Sequence, residues 1–309
     1  MSFSTEWLAL REPFDRAARE GSALDLLPLT EGRSGSSNND GGDALPPYRV
    51  LDLGCGTGAN LRALAPRLGG RQRWHLVDHD ARLLAALPRV MTEWATTHRL
   101  KMPTPTSADS LLCIEGPQQQ WRVELSWQRA DLVHELETLP FGGCDLVSAS
   151  ALLDLVSASW LAALLTKAHE VRAALLFALT VDGRIDWQPV VAGDTQVAQL
   201  FTAHQLRDKG FGGPALGVNA VPRAVERLVA LGYRCVQAGS DWELGPDSGA
   251  RLLTQMIDGL ADAALEQDPA ARDLVLGWRL RRLALAAHSK LRVGHAELLA
   301  LPSASASAK

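Results

Sequence analysis

Apolar positions along this chain follow two rhythms, and the changes from one to the other predict most of its elements. Val50-Leu51-Asp52-Leu53 and Trp74-His75-Leu76-Val77 are short, mostly apolar runs that suit strands covered on both faces. Trp121, Val123, Leu125 and Trp127 alternate with period two and predict a further strand. Ala174–Thr180, Tyr233–Val236 and Ala296–Leu301 add three more. Helical spacing takes over at Leu61, Leu64, Ala65 and Leu68, and Gly69-Gly70 stops that run. It returns at 81–87, with Asp80 placed to cap it, at Leu161, Leu164, Leu165 and Ala168, and at Val225, Leu228 and Val229 before Gly232. Leu252, Leu253, Met256, Ile257, Leu260 and Leu265 form one core-facing stripe, and a second helix covers about 270–290. Its Arg279, Arg281 and Arg282 read as a solvated face.

Less regular stretches separate these elements. Residues 5–20 form an amphipathic helix with Trp7, Leu8 and Phe14 on one side, and Pro13 predicts a break or kink in it. Residues 31–46, EGRSGSSNNDGGDALP, have the composition of a mobile connection. Within 91–120 a helix through Trp94, a Pro103-Thr104-Pro105 loop and the apolar run Leu111–Ile114 suggest a hairpin on a sheet edge. Val181–Trp187 reads as a turn opening an excursion, and 190–219 as the least regular ordered stretch, carrying Phe201, His204, Lys209 and GFGGPALG. The SASASAK end is predicted disordered.

The chemistry gathers at Val50–Asn60. A buried strand breaks there into three alternating glycines and opens a helix, so a ligand would face exposed amides at a helix N-terminus. Gly54–Ala59 also fits the loose dinucleotide fingerprint G-x-G-x-x-G/A, which keeps a nicotinamide cofactor open as a reading. About 20 residues on, Asp78 ends the next strand, where nucleotide-binding α/β folds place an acid against ribose hydroxyls.

The acid two places before the first glycine separates the two readings. LDLGCGTG, Leu51–Gly58, resembles motif I of class I methyltransferases that use S-adenosyl-L-methionine. LPFGGCDLVSASALLDLVS, Leu139–Ser157, resembles the same family's approach to its fourth strand, here Asp145–Ala149. The resemblance implies a doubly wound, mostly parallel sheet of seven strands with the last antiparallel, the Rossmann-like methyltransferase fold with a helical lid and insertions. It implies that Asp52 helps position the amino-acid end of the cofactor beside the backbone of Gly54, Cys55, Gly56 and Gly58, with Asn60 opening the helix. It gives Asp131 the adenine amino group and Leu132 the ring edge, sets Ser148 at the strand end bordering the sulfonium, and leaves Asp78 with His79 at the sugar. Arg11 or Arg19, on an N-terminal helix folded over the cofactor, would meet its carboxylate, with Arg11 the residue expected there. Asp154 stands where small-molecule enzymes of the family face their substrate, or else caps the next helix. His204, in a loop on the carboxyl side of the sheet, is a second candidate base.

Composition narrows the function. With 309 residues, 47% hydrophobic and 21% charged, the chain has the composition of an ordinary soluble protein. A formal net charge of -4 argues against an extended phosphate-binding surface, so nucleic acid is a poor substrate and a small molecule a better one. Cys55, Cys113, Cys144 and Cys235 are widely spaced, which fits reduced thiols in a cytoplasmic protein with no disulfide framework or zinc site. No acidic or histidine cluster has metal-ligand spacing, and no run is long enough to span a membrane. The expected organisation is a helical lid and linker over 1–46, a methyltransferase domain over 47–302 with a substrate-lid insertion at about 188–219, and a disordered tail over 303–309. The expected activity is methyl transfer to a small-molecule acceptor, with oxygen favoured. A non-catalytic binder of the same cofactor, an NAD(P)-dependent oxidoreductase and a macromolecule methyltransferase remain open, as does the oligomeric state.

Overall fold

The computed structural model describes residues 4–30 and 46–303. Most of the linker 31–46 and the tail beyond Ser303 lie outside the described residues. The chain opens with α1 (Thr5–Glu20), capped by the Ser4 hydroxyl, and the short α2 (Leu27–Thr30). Pro13 does not break α1, which runs through it as one helix. Then β1 (Tyr48–Leu53), α3 (Ala59–Leu68), β2 (Gly70–Asp78) and α4 (Ala81–Thr97) follow the predicted order. Asp80 caps α4, its carboxylate accepting from Arg82 N at 2.9 Å.

The apolar run near 112 is a strand, β3 (Leu112–Glu115), paired antiparallel with β4 (Trp121–Arg129) on the sheet edge as the pattern suggests. After β5 (Leu146–Ser150) and α5 (Ala158–Glu170) comes β6 (Ala174–Gln188), twice the expected length. Val181–Trp187 is therefore strand, not a turn: it stays paired with β9 (Lys290–Pro302) across two register shifts, which also lengthens that last strand beyond 296–301. The stretch read as irregular contains α6 (Asp194–Gln205). Only Val197 and His204 are buried on it, so the sequence carries no continuous apolar stripe there. The chain continues with α7 (Ala220–Ala230), β7 (Tyr233–Gly239), β8 (Trp242–Leu244), α8 (Pro246–Gln267) and α9 (Arg272–Leu285).

The strands make one sheet in the order β3-β4-β2-β1-β5-β6-β9-β7, with β8 also on β9. The β4-β2-β1-β5-β6 pairs are parallel, and β9 runs antiparallel to both its neighbours. The seven predicted strands are all present, and β3 and β8 raise the sheet to nine. Both faces are covered, which is why the strands read as apolar runs. Leu51 and Leu53 pack towards α5 and α7, whereas Val50 packs towards α3 and α4. A third cluster seats α6, α8 and α9 on the extended part of β6, on β8 and on the start of β9, with Trp7, Leu10 and Phe14 of α1 against it. Arg282 belongs to this core and corrects the solvated-face reading: it is fully buried, paired with Asp194 and stacked 4.2 Å from the Trp187 ring.

The sheet order turns back on itself between β1 and β5. The helix after β1 lies on one face and that after β5 on the other, and the diverging loops leave a crevice at the strand ends.

Candidate active site

The crevice is a cavity of about 340 Å³ running from the glycine turn to the loop after α6. Gly54, Gly56 and Gly58 have φ of +65°, +55° and +80°, a region that L side chains enter at a cost of about 1–2 kcal/mol. Gly58 caps α3 with no side-chain hydrogen bond, leaving the helix's first amides to other acceptors. A Cβ at Gly58 would also run into the Met91 methyl and stand 3.1 Å from Leu87. Gly58→Ala is expected to lower unfolding free energy by about 1–2 kcal/mol in denaturant titration. An unchanged midpoint would show that the turn tolerates a side chain.

Asp78 holds this turn from the next strand. One carboxylate oxygen accepts from Gly56 N at 2.8 Å and the other from Asp80 N at 2.9 Å. Two of roughly four acceptor directions are thereby used, and the carboxylate lines the cavity with the rest. The exposed His79 beside it has Nδ1 3.5 Å from the same carboxylate. Cys55 also lines the cavity, and burial pushes its thiol well up, so it is no thiolate nucleophile.

Beneath the lining lies a buried polar network. Parallel pairing sets Asp52 beside Ser148, and Asn60 Nδ2 reaches both, at 2.5 Å from Asp52 and 2.7 Å from the Ser148 hydroxyl. Arg19, on α1, donates to Asn60 Oδ1 at 2.8 Å and sits 3.6 Å from Glu297. Burial pushes Asp52 up to about 7, against the lowering effect of Asn60 and Arg19. Of these residues only Asn60 lines the cavity; Asp52 and Ser148 lie below it, and Ser150, two residues on, takes the wall position. Arg19 is thus a buried strut for α1, while Arg11 faces the cavity. Asp15 accepts from Arg11 Nε at 2.8 Å and from Nη2 at 3.1 Å, and the guanidinium lies 5.1 Å from the Trp242 ring.

Asp131 and Leu132 line one end of the cavity. Asp131 is half exposed; its carboxylate accepts from Val133 N and meets His134 Nδ1, both at 2.9 Å, and the His134 contact leads in holding it below the usual carboxylate range. Leu132 O accepts from Trp160 Nε1 at 2.6 Å. At the other end, Ser150, Ala151, Leu152 and Leu155 face Lys209, Gly210 and Phe211. Ala151 is held at φ +52°, strain that the sequence does not announce.

Asp154 is buried with Oδ1 unpartnered, and burial pushes it up to about 6. It does not cap α5: the Ser157 hydroxyl does, accepting from Trp160 N at 3.2 Å. Asp154 lies behind the lining and next to Leu155, which faces the cavity. His204 is not brought to the cavity either. It sits on α6 with Nε2 3.2 Å from Glu266 of α8, and burial, then Lys209, holds it below its ordinary range. Lys209, Leu8 and Asp15 also line the site; the sequence puts Lys209 in the lid stretch and Leu8 on the apolar side of α1 without giving either a role, and it does not single out Asp15.

No protein-family model matches the chain, and no curated protein matches it. Solved structures do resemble it. A cyclopropane-fatty-acyl-phospholipid synthase-like protein from Lactobacillus casei is 14% identical with a TM-score of 0.48, over 97% of this chain and 94% of that one. A SAM-dependent methyltransferase from Geobacter sulfurreducens, in complex with S-adenosyl-L-homocysteine, is 13% identical with a TM-score of 0.39, over 94% and 98%. An arsenic(III) S-adenosylmethionine methyltransferase from Chlamydomonas reinhardtii is 14% identical with a TM-score of 0.39, over 96% and 76%. At such identities and scores the likeness assigns no activity and no residue role to this chain.

Proposed function

We propose that the protein is an S-adenosylmethionine-dependent methyltransferase acting on a small-molecule acceptor, with oxygen the favoured accepting atom. One observation carries the reading: a single cavity joins the LDLGCGTG turn and the Asp78 carboxylate at the β1/β5 switch point to a partly apolar chamber under α1 and the loop after α6. The residues present suit that cofactor. Asp78 has acceptor capacity left for the ribose hydroxyls, Asp131 and the backbone at Leu132 suit an adenine edge, and Arg11 suits a carboxylate. Asp52, Asn60 and Ser148 hold the turn from below.

When bound, S-adenosylmethionine supplies an electrophilic methyl carbon. The chain's contribution is to align an acceptor with it and to exclude water, and positioning of that kind can supply much of a displacement's rate. Leu8 and Arg11 on α1 close one side, and Phe211, packed edge-on to Trp160 at 5.2 Å, closes the other. The lid read over 188–219 narrows in this reading to the loop after α6. Asp154, behind the wall, would act on the cavity through its charge on Arg11 and Lys209, and His204 would act through Lys209.

Calorimetry on the full chain tests the reading. S-adenosylhomocysteine is expected to bind stoichiometrically and NADH not at all. Saturation by NADH with no response to S-adenosylhomocysteine would establish the oxidoreductase. Binding without methyl transfer to any compound in a metabolite screen with methyl-labelled cofactor would establish a non-catalytic binder.

A further inference from the structure

We propose that Lys209 receives the methyl acceptor, and that the acceptor presents an anionic oxygen to it, as a carboxylate or a phenolate does; this rests on the methyltransferase reading above.

Lys209 is half-buried on the loop after α6 and lines the cavity. Its ammonium donates to His204 O at 2.9 Å and lies 3.3 Å from His204 Nδ1. His204 Nε2 faces the Glu266 carboxylate at 3.2 Å. A ring that donates from Nε2 to Glu266 keeps Nδ1 bare to accept from the ammonium, so the chain Glu266–His204–Lys209 fixes both the tautomer and the direction of the lysine. Two of the three N–H groups are then used, and the third has no partner among the described residues. No carboxylate of the described residues lies within 4.0 Å of Nζ. Glu266 and the buried Asp154 act on the ammonium through space without touching it, so an anion arriving with a ligand takes the remaining N–H by direct contact, which neither carboxylate makes.

The loop that carries it is held in place. Ser157 Oγ donates to Phe211 O at 2.7 Å, and Gly210 N donates to Asp208 at 2.7 Å. The other cation of the cavity differs in kind, because Arg11 is already paired with Asp15 by two hydrogen bonds. The wall at this end is mostly apolar, from Ala151, Leu152, Leu155 and Phe211, with Ser150 its polar member. The site therefore fits a molecule with an apolar body and one anionic oxygen.

The test uses the full chain saturated with S-adenosylhomocysteine and titrated at pH 8 with benzoate, 4-nitrophenolate and neutral benzamide. At least one anion is expected to bind tenfold or more tightly than benzamide, and which one does so separates carboxylate from phenolate acceptors. Lys209→Met is expected to abolish that preference and Lys209→Arg to retain it. Equal binding of all three, binding of none, or an anion preference surviving in Lys209→Met overturns the proposal. So does a tenfold loss of S-adenosylhomocysteine affinity in Lys209→Met, which would place the ammonium on the cofactor. If the unaltered chain fails to bind S-adenosylhomocysteine at the outset, the cofactor reading itself fails, and this inference with it.

Discussion

Asp78→Ala is expected to weaken S-adenosylhomocysteine binding by roughly 10- to 100-fold, about 1–3 kcal/mol, with the fold intact. Two losses add. The acceptor directions that Asp78 turns to the cavity disappear, and the Gly56 and Asp80 amides lose the carboxylate they donate to. The second loss loosens the turn itself, so part of the effect reaches beyond the sugar. Asp78→Asn separates the two: its amide oxygen can keep one backbone contact, and it is expected to fall between alanine and the unaltered chain. Calorimetry gives the affinities and thermal melting the fold. Unchanged affinity in the alanine variant would remove Asp78 from the site.

What could be read from the sequence was local. The glycine turn, the acid ending β2 and the cap at Asp80 each declare themselves within a few residues, because backbone conformation at a turn is set by the residues in it. The alternation of strands and helices was equally plain where burial on both faces makes strands wholly apolar. The failures were of longer range. The helix α6 buries only two side chains and so leaves no stripe, and the burial of Arg282 depends on Asp194 from α6 and Trp187 from β6, both far from it in the chain. In the sequence His204 is an imidazole among cationic and aromatic groups, yet its partners are on α8 and on the loop beyond, and it is Lys209 that lines the cavity. No local pattern reports a tie made between distant elements.

Arg19→Met is expected to cost about 3–5 kcal/mol of stability at pH 8, the largest effect of any substitution near the site. Arg19 is one of three buried charged groups that face one another from α1, β1 and β9, and it alone is positive. Its removal leaves Asp52 buried without the cation that faces it, leaves Glu297 with only the more distant influence of Arg67, and leaves Asn60 Oδ1 without its donor. The cost depends on pH, and its sign follows from the carboxyls. Burial raises Asp52 to about 7 and also raises Glu297, so the folded state binds protons that the unfolded chain has released, and this source of stability fades as pH rises towards 7. Below that range Asp52 is neutral and needs Arg19 less, so the variant is expected to lose less at pH 5.5 than at pH 8. Because Arg19 ties α1 to Asn60, and Leu8 and Arg11 of the same helix line the cavity, cofactor affinity is expected to fall along with stability. Adding Asp52→Asn and Glu297→Gln to Arg19→Met removes the stranded charges and is expected to restore most of the stability, without restoring the tether from α1 to Asn60. Denaturant titrations at the two pH values provide the measurement. An equal loss at both, or no recovery in the triple variant, would mean that Arg19 acts through packing alone, and α1 would then be held by the Arg62–Glu12 pair at 2.6 Å and its apolar contacts.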